Sequence, residues 1–310
     1  MSEKEDSLTL QGIVNVLKPP GMTSHDVVQY LRRLLRVKRI GHAGTLDPGA
    51  TGVLVVAVGQ ATRLIEFAMN SSKYYRAEMV LGVTTDTQDA FGKVTRREEP
   101  GDLSAEDIAT VLDKFHGRVQ QVPPMVSAVR YRGRKLYELA RQGQEVPREP
   151  RWVEIHEVKL RRWEPPRAVF DVCCSKGTYI RTLCADAGDV LGCGAHLSFL
   201  VRTRSGSFRL EEAQLLEEIA EAVSKGEYSF LQDMEKAVSN FPPIHVKASS
   251  VERVLHGNPL RPLDLALSIN HLEDKQWVRI HGPASQFLAI GQVARSGVTA
   301  VVNIKKVFGA

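Results

Sequence analysis

The chain has 310 residues, 43% hydrophobic and 25% charged, the balance of an ordinary soluble globular protein with room for one large domain and a small one. Its longest apolar run is too short to cross a bilayer and Met1–Asp6 is polar and acidic, so a membrane-spanning class and an export signal are set aside and the cytoplasm is the expected compartment. The net charge of +5 is concentrated: Pro123–Arg151 holds seven Arg or Lys against three Glu, which points to a polyanion partner or, more plainly, to a solvated basic face.

In chain order, Gly12–Leu17 reads as a buried strand closed by the turn Lys18-Pro19-Pro20-Gly21. Thr23 or Ser24 can cap the helix that follows, in which Val27, Val28, Leu31, Leu34 and Leu35 share one face. Next comes Arg39–Leu54, in which Gly41, Gly44, Gly49 and Gly52 surround a single carboxylate, Asp47, just before the apolar run Val53–Val58. Pro48 restricts Asp47 to an extended conformation, so the carboxylate should project from a rigid loop at the mouth of a strand. A carboxylate so placed is a candidate reactive group; an Asp-Pro-Gly turn joining two strands is the plainer reading. The glycines are expected to let a ligand's backbone come close.

Lys73–Gly82 is strand-like, and Thr84–Gly92 is a polar loop whose carboxylates do not follow the alternating ligand positions of a calcium loop. Ser104–Phe115 reads as a capped helix. The basic segment interleaves Tyr131 and Tyr137 with Arg130, Arg132, Lys135 and Arg141, as a surface that neutralises phosphates and stacks bases would. Strands are expected at Arg151–Val158 and Ala168–Cys174, and a helix near Thr182 that can carry Arg181 into the interior, where it would need a carboxylate partner. Cys173, Cys174, Cys184 and Cys193 lack paired zinc spacing and read as reduced thiols, with no support for a metal. A helix over Leu210–Val223, a boundary at Phe241-Pro242-Pro243 and a small β-barrel of short strands complete the chain.

Gly41–Gly52 resembles the catalytic motif of the TruB family of tRNA pseudouridine synthases. Lys18–Gly21, Lys73–Arg76, Thr85–Asp89, Pro123–Ala128, Leu136–Arg141 and Gly177–Arg181 match further family motifs in the family's order, over about Gly12 to Arg204. The resemblance implies an α+β pseudouridine synthase fold over residues 1–241, with a large mixed, mainly antiparallel sheet flanked by helices and an RNA-gripping insertion at about 123–151. Residues 242–310 are similar, more weakly, to a PUA-like RNA-binding domain.

It also implies a substrate, the T-loop uridine of tRNA, and no cofactor or obligatory protein partner. Isomerising uridine breaks N1–C1′, turns the uracil and joins C5 to C1′, so neither electrons nor phosphate are consumed. By the resemblance Asp47 is catalytic, attacking C1′ or removing the C2′ proton in preference to attacking the ring, and Arg181 pairs with it and keeps it ionised. Tyr75 packs on the base and is placed for proton transfer, Tyr179 and Leu200 line the base pocket, and His42 helps flip the nucleotide out of its stack. Lys18 lies near the site in a structural or phosphate-directed role, and Asp89 bonds within the site, to RNA, or to its own turn. Val126 departs from the larger residue frequent in the family, which leaves one packing contact open. Two other readings fit the motifs less well: a non-catalytic RNA-binding protein, and a guide-RNA-dependent synthase of dyskerin type.

Overall fold

The computed structural model describes residues 10–296 and 299–309. Its first half runs β1 (Gly12–Lys18), α1 (Ser24–Leu35), β2 (Ile40–His42), β3 (Thr51–Val58), α2 (Ile65–Met69) and β4 (Lys73–Leu81), then the hairpin β5 (Val83–Thr85) with β6 (Val94–Arg97). There follow α3 (Ala105–Asp113), β7 (Gly117–Gln121), the hairpin β8 (Arg130–Tyr131) with β9 (Arg134–Lys135), α4 (Leu136–Ala140), β10 (Arg151–Glu164) and β11 (Arg167–Cys174). The sheet is completed by α5 (Ile180–Val190), β12 (Ala195–Ser205), β13 (Phe208–Arg209) and α6 (Leu216–Ser224).

Nine strands form one sheet in the order β1-β3-β12-β4-β11-β10-β7, with β2 beside β3 and β13 beside β12. Every pairing is antiparallel except β12 with β3, so the sheet is mixed and mainly antiparallel, as expected. Val53–Val58 is buried at every position because β3 is covered on both faces: α1 and α6 pack on Leu54, Val56 and Val58, while Phe208 and Ala68 pack on Val53, Val55 and Ala57. Helix α1 starts as read, with Thr23 as cap and Asp26 closing a reciprocal capping box.

Two expectations change and one strand is new. The helix expected over Leu210–Val223 is broken, because Gln214 is extended and exchanges backbone hydrogen bonds with Asn15 and Leu17 of β1; only α6 is regular. Beyond residue 242, β14 (Pro243–His245), α7 (Val251–Leu255), β15 (Trp277–His281), β16 (Phe287–Ser296) and β17 (Thr299–Val307) form an open four-stranded sheet, and among the described residues no barrel closes. Finally, β12, the strand that joins the two halves of the large sheet, was not legible as a strand. Leu64, Phe67, Val238 and Phe241 pack against Trp277, Phe287, Ile290 and Phe308, so an apolar seam joins the small sheet to the large one. No helix among the described residues is long and apolar enough to cross a membrane.

Candidate active site

The loop carrying Asp47 is held from beneath by side chains rather than by sheet bonds. Lys18 at the end of β1 is fully enclosed and its Nζ donates to the carbonyls of Pro19 at 2.8 Å, Pro48 at 3.2 Å and Ala50 at 2.8 Å. Ser24 at the start of α1 exchanges hydrogen bonds with both backbone groups of Leu46, and the Gly21 N–H donates to Pro48. From the other side Arg202 of β12, also buried, donates to the carbonyls of Val53 at 2.7 Å, Gly44 at 3.2 Å and Thr45 at 3.3 Å. The glycines serve this packing. A Cβ on Gly52 would stand 2.3 Å from the Arg202 carbonyl, and one on Gly49 would strike the Phe91 ring at 2.0 Å. Protein atoms already fill the space expected for a ligand backbone at these two positions.

Arg181 enters from the first turn of α5 and is 2% exposed. Its Nη2 lies 3.2 Å from Asp47 Oδ2 and donates to the Val126 carbonyl at 2.6 Å, while Nη1 lies 3.6 Å from Asp89 Oδ2. Asp89 does two jobs, since its Oδ1 accepts from Thr87 Oγ1 and from the Phe91 N–H and so shapes its own turn. Val126 meets the arginine through its backbone, which is why a small side chain suffices there. That carbonyl belongs to the root of the basic insertion, which leaves and re-enters the sheet between paired residues Gln121 and Arg151.

Two cavities open on either side of the Asp47–Arg181 pair. One, of about 400 Å³, is walled by Phe91, Val126, Phe199 and Leu200 over Asp89. The other, of about 300 Å³, is lined by Tyr75, Tyr179, Leu200, Lys73, Lys176 and Arg202. Both volumes suit a small ligand or one unit of a larger one. The second cavity is cationic apart from Asp47. Tyr179 precedes α5 and is fixed by a two-way exchange with the Gln121 side chain.

Burial pushes the Asp47 carboxyl above the usual carboxylate range; Arg181 pulls it down, Asp89 pushes it up again, and the net direction is upward. The Asp47 side chain is 42% exposed, so water still reaches the carboxylate in the open cleft. Arg181 therefore opposes the effect of burial without reversing it, a weaker effect than the sequence led us to expect. Burial also pushes the Tyr75 phenol up, against the neighbouring Arg202, which pulls it down. Lys18 is brought down to about 8 by burial.

The structure thus brings Asp47, Arg181, Asp89, Tyr75, Tyr179 and Leu200 into one cleft. Of the two roles expected for Lys18 the geometry fits the structural one: its ammonium is enclosed by three carbonyls, which leaves it no access to a phosphate. His42 stands on β2 opposite Val56, outside the lining of both cavities, with a buried Nδ1 that has no hydrogen-bond partner. Burial, then the charge of Arg202, lower its pKa, which favours a flat neutral ring. Arg130 and Arg132 are exposed on the β8–β9 hairpin, where Arg132 lies over Tyr131; Lys135 and Arg141 flank the Tyr137 ring. None of these four cations has a carboxylate partner among the described residues. The sequence reading missed Arg202, Lys73, Phe91 and Phe199. Arg202 stands two residues after Leu200, on the same face of β12, a relation visible only once that strand is known.

Comparison with known proteins identifies the family of the chain. Residues 32–180 match the N-terminal domain of the TruB family of pseudouridylate synthases, and residues 181–239 match the C-terminal domain of tRNA pseudouridylate synthase B. The chain is 51% identical to tRNA pseudouridine synthase B of Moorella thermoacetica over 92% of its own length and 94% of that protein. It is 52% identical to the protein of the same name from Symbiobacterium thermophilum, over 83% and 85% respectively. Among solved structures, a chain of a Cbf5-Nop10-Gar1 complex is similar at a TM-score of 0.77 and 30% identity, over 96% of this chain and 85% of that one. With relatives of this identity along nearly its whole length, the chain belongs to the TruB family of pseudouridine synthases.

Proposed function

We propose that the chain is a tRNA pseudouridine synthase that takes the T-loop uridine into the cationic cavity and isomerises it there without a cofactor. The observation that carries this reading is the Asp47–Arg181 pair at the junction of two cavities, one of them walled by Tyr75, Tyr179 and Leu200. An ionised Asp47 supplies the one group that glycosidic cleavage needs, either as a nucleophile at C1′ or as a base at C2′. Arg181 holds the carboxylate in place, and the raised affinity of Asp47 for protons suits it to accept one during the cycle. As C5 joins C1′ the Asp47 carboxylate is released; it then takes the proton from C5, and N1 gains one from solvent. Tyr75 packs on the ring, beside this proton transfer.

His42, beside the cleft, is assigned to emptying the RNA stack, and Arg130, Arg132, Lys135 and Arg141 to gripping phosphates, which position the RNA while the extruded base specifies it. The domains are assigned as residues 1–241 for catalysis and 242–310 for RNA binding along the acceptor stem, and the enzyme is placed in the cytoplasm. The test is release of tritium from tRNA carrying 5-tritiated uridine by the purified chain. No release from tRNA or from an isolated T-arm hairpin would overturn the reading. Release only with added guide RNA and proteins would favour a dyskerin-type enzyme.

A further inference from the structure

Arg202 is 1% exposed and has no carboxylate within salt-bridge distance among the described residues. A buried guanidinium without a counter-ion is a costly way to fill space, and an apolar side chain of similar volume fills a core at lower cost. Its position explains what the charge does. In the sheet register Arg202 stands directly opposite Tyr75 on one side and Gly52 on the other, at the point where β12 joins β3 and β4. Directly opposed residues in an antiparallel pair have adjacent side chains, so the guanidinium and the phenol share one face. The guanidinium then reaches across β3 to the carbonyls of Gly44, Thr45 and Val53, the first two of which belong to the segment leading into Asp47. Gly44 takes a φ of +117°, and the Arg202 Nη1 would lie 3.7 Å from a Cβ there.

We infer that Arg202 is a positioning residue of the reaction, fixing the distance between the Asp47 loop and the Tyr75 ring so that a uracil seated on one faces the other. Resting on the synthase reading above, this adds a residue whose part in the reaction is mechanical. Its planar fork is essential: Nε, Nη1 and Nη2 each serve a different carbonyl while the guanidinium stays against the phenol, a spread of donors that the single nitrogen of a lysine does not supply at this site.

The test compares wild type, Arg202→Lys and Arg202→Met in single-turnover tritium release at saturating enzyme, with RNA affinity and melting temperature measured alongside. We expect the rate per folded molecule to fall about 100-fold in Arg202→Met, the size of effect that misplacement by about 1 Å produces, and about tenfold in Arg202→Lys, with RNA affinity within roughly threefold of wild type. A purely structural role would lower the melting temperature and leave that rate unchanged, which would overturn the inference. Failure of both variants to fold would overturn it as well, because Arg202 would then be a staple of the sheet. An inactive wild type would strike instead at the synthase reading, so the two failures are distinguishable.

Discussion

Asp47 and Arg181 meet at 3.2 Å although one comes from a glycine-rich loop and the other from the first turn of a helix on a different part of the sheet. The arginine is buried and the aspartate is open to the cleft, so the pair has a fixed half and a reacting half. This asymmetry sets the first two expectations.

Asp47→Asn should abolish turnover and still bind tRNA with an affinity within roughly threefold of wild type, since the cations of the insertion supply the salt-dependent binding. The folded carboxyl titrates above its unfolded value, so the folded state binds more protons across that window and loses stability as the pH rises through it. The asparagine variant should therefore melt no lower than wild type at neutral pH. Retained tritium release would remove Asp47 as the catalytic group.

Arg181→Lys should cost about 100-fold in single-turnover rate, because one ammonium cannot serve Asp47, Asp89 and the Val126 carbonyl together. A rate within a few-fold of wild type would show that charge alone suffices.

The pH–rate profile should fall on both sides. On the acid side the rate drops as Asp47 gains its proton, with the inflection above the ordinary carboxylate value of 3.8. On the alkaline side the inflection should lie near 8, where Lys18 and Lys73, both brought down by burial, lose a proton and each keeps two donors for three carbonyls. The sign for stability is opposite there: from about 8 to the ordinary 10.5 the unfolded chain binds more protons, so folding is favoured as the pH rises. The alkaline limb is then a loss of rate without unfolding, and a flat profile through pH 9 with intact fold would exclude it.

Lys18→Met should lower stability by roughly 2–4 kcal/mol in denaturant unfolding, because three buried carbonyls lose their donor and escape from the burial penalty offsets only part of that. An unchanged midpoint would mean that water takes over all three bonds.

Arg132→Ala with Arg141→Ala should weaken tRNA binding and reduce its salt slope by roughly one for each phosphate left without its cation, while the rate at saturation stays unchanged. A fall in the saturated rate with an unchanged slope would place these residues in the chemistry.

Much of this was legible in the sequence because local rules agreed with the fold. Thr23 and Asp26 announce α1, the all-apolar Val53–Val58 announces a strand covered on both faces, and Asp47 before Pro48 announces a rigid loop. What was illegible depends on contacts between distant segments. Lys18 looks like a free cation beside a turn until Pro48 and Ala50 close over it. Gln214 looks helical until β1 claims its backbone. The β12 strand carries Arg202 and Arg204 among apolar residues, which hides its alternation, and the Val126 carbonyl bonded to Arg181 has no side-chain signal at all.

The clamping of the Asp47 loop by Lys18 and Arg202 also decides which partner must yield on encounter. A segment whose carbonyls are committed to two enclosed cations has no spare conformations with which to follow an incoming nucleotide. On that footing the loop is expected to act as the template and the RNA to do the bending. Uridines in loops that open readily should be processed faster than the same uridine locked in a stiff stem, so the mechanical softness of the RNA becomes part of what is recognised.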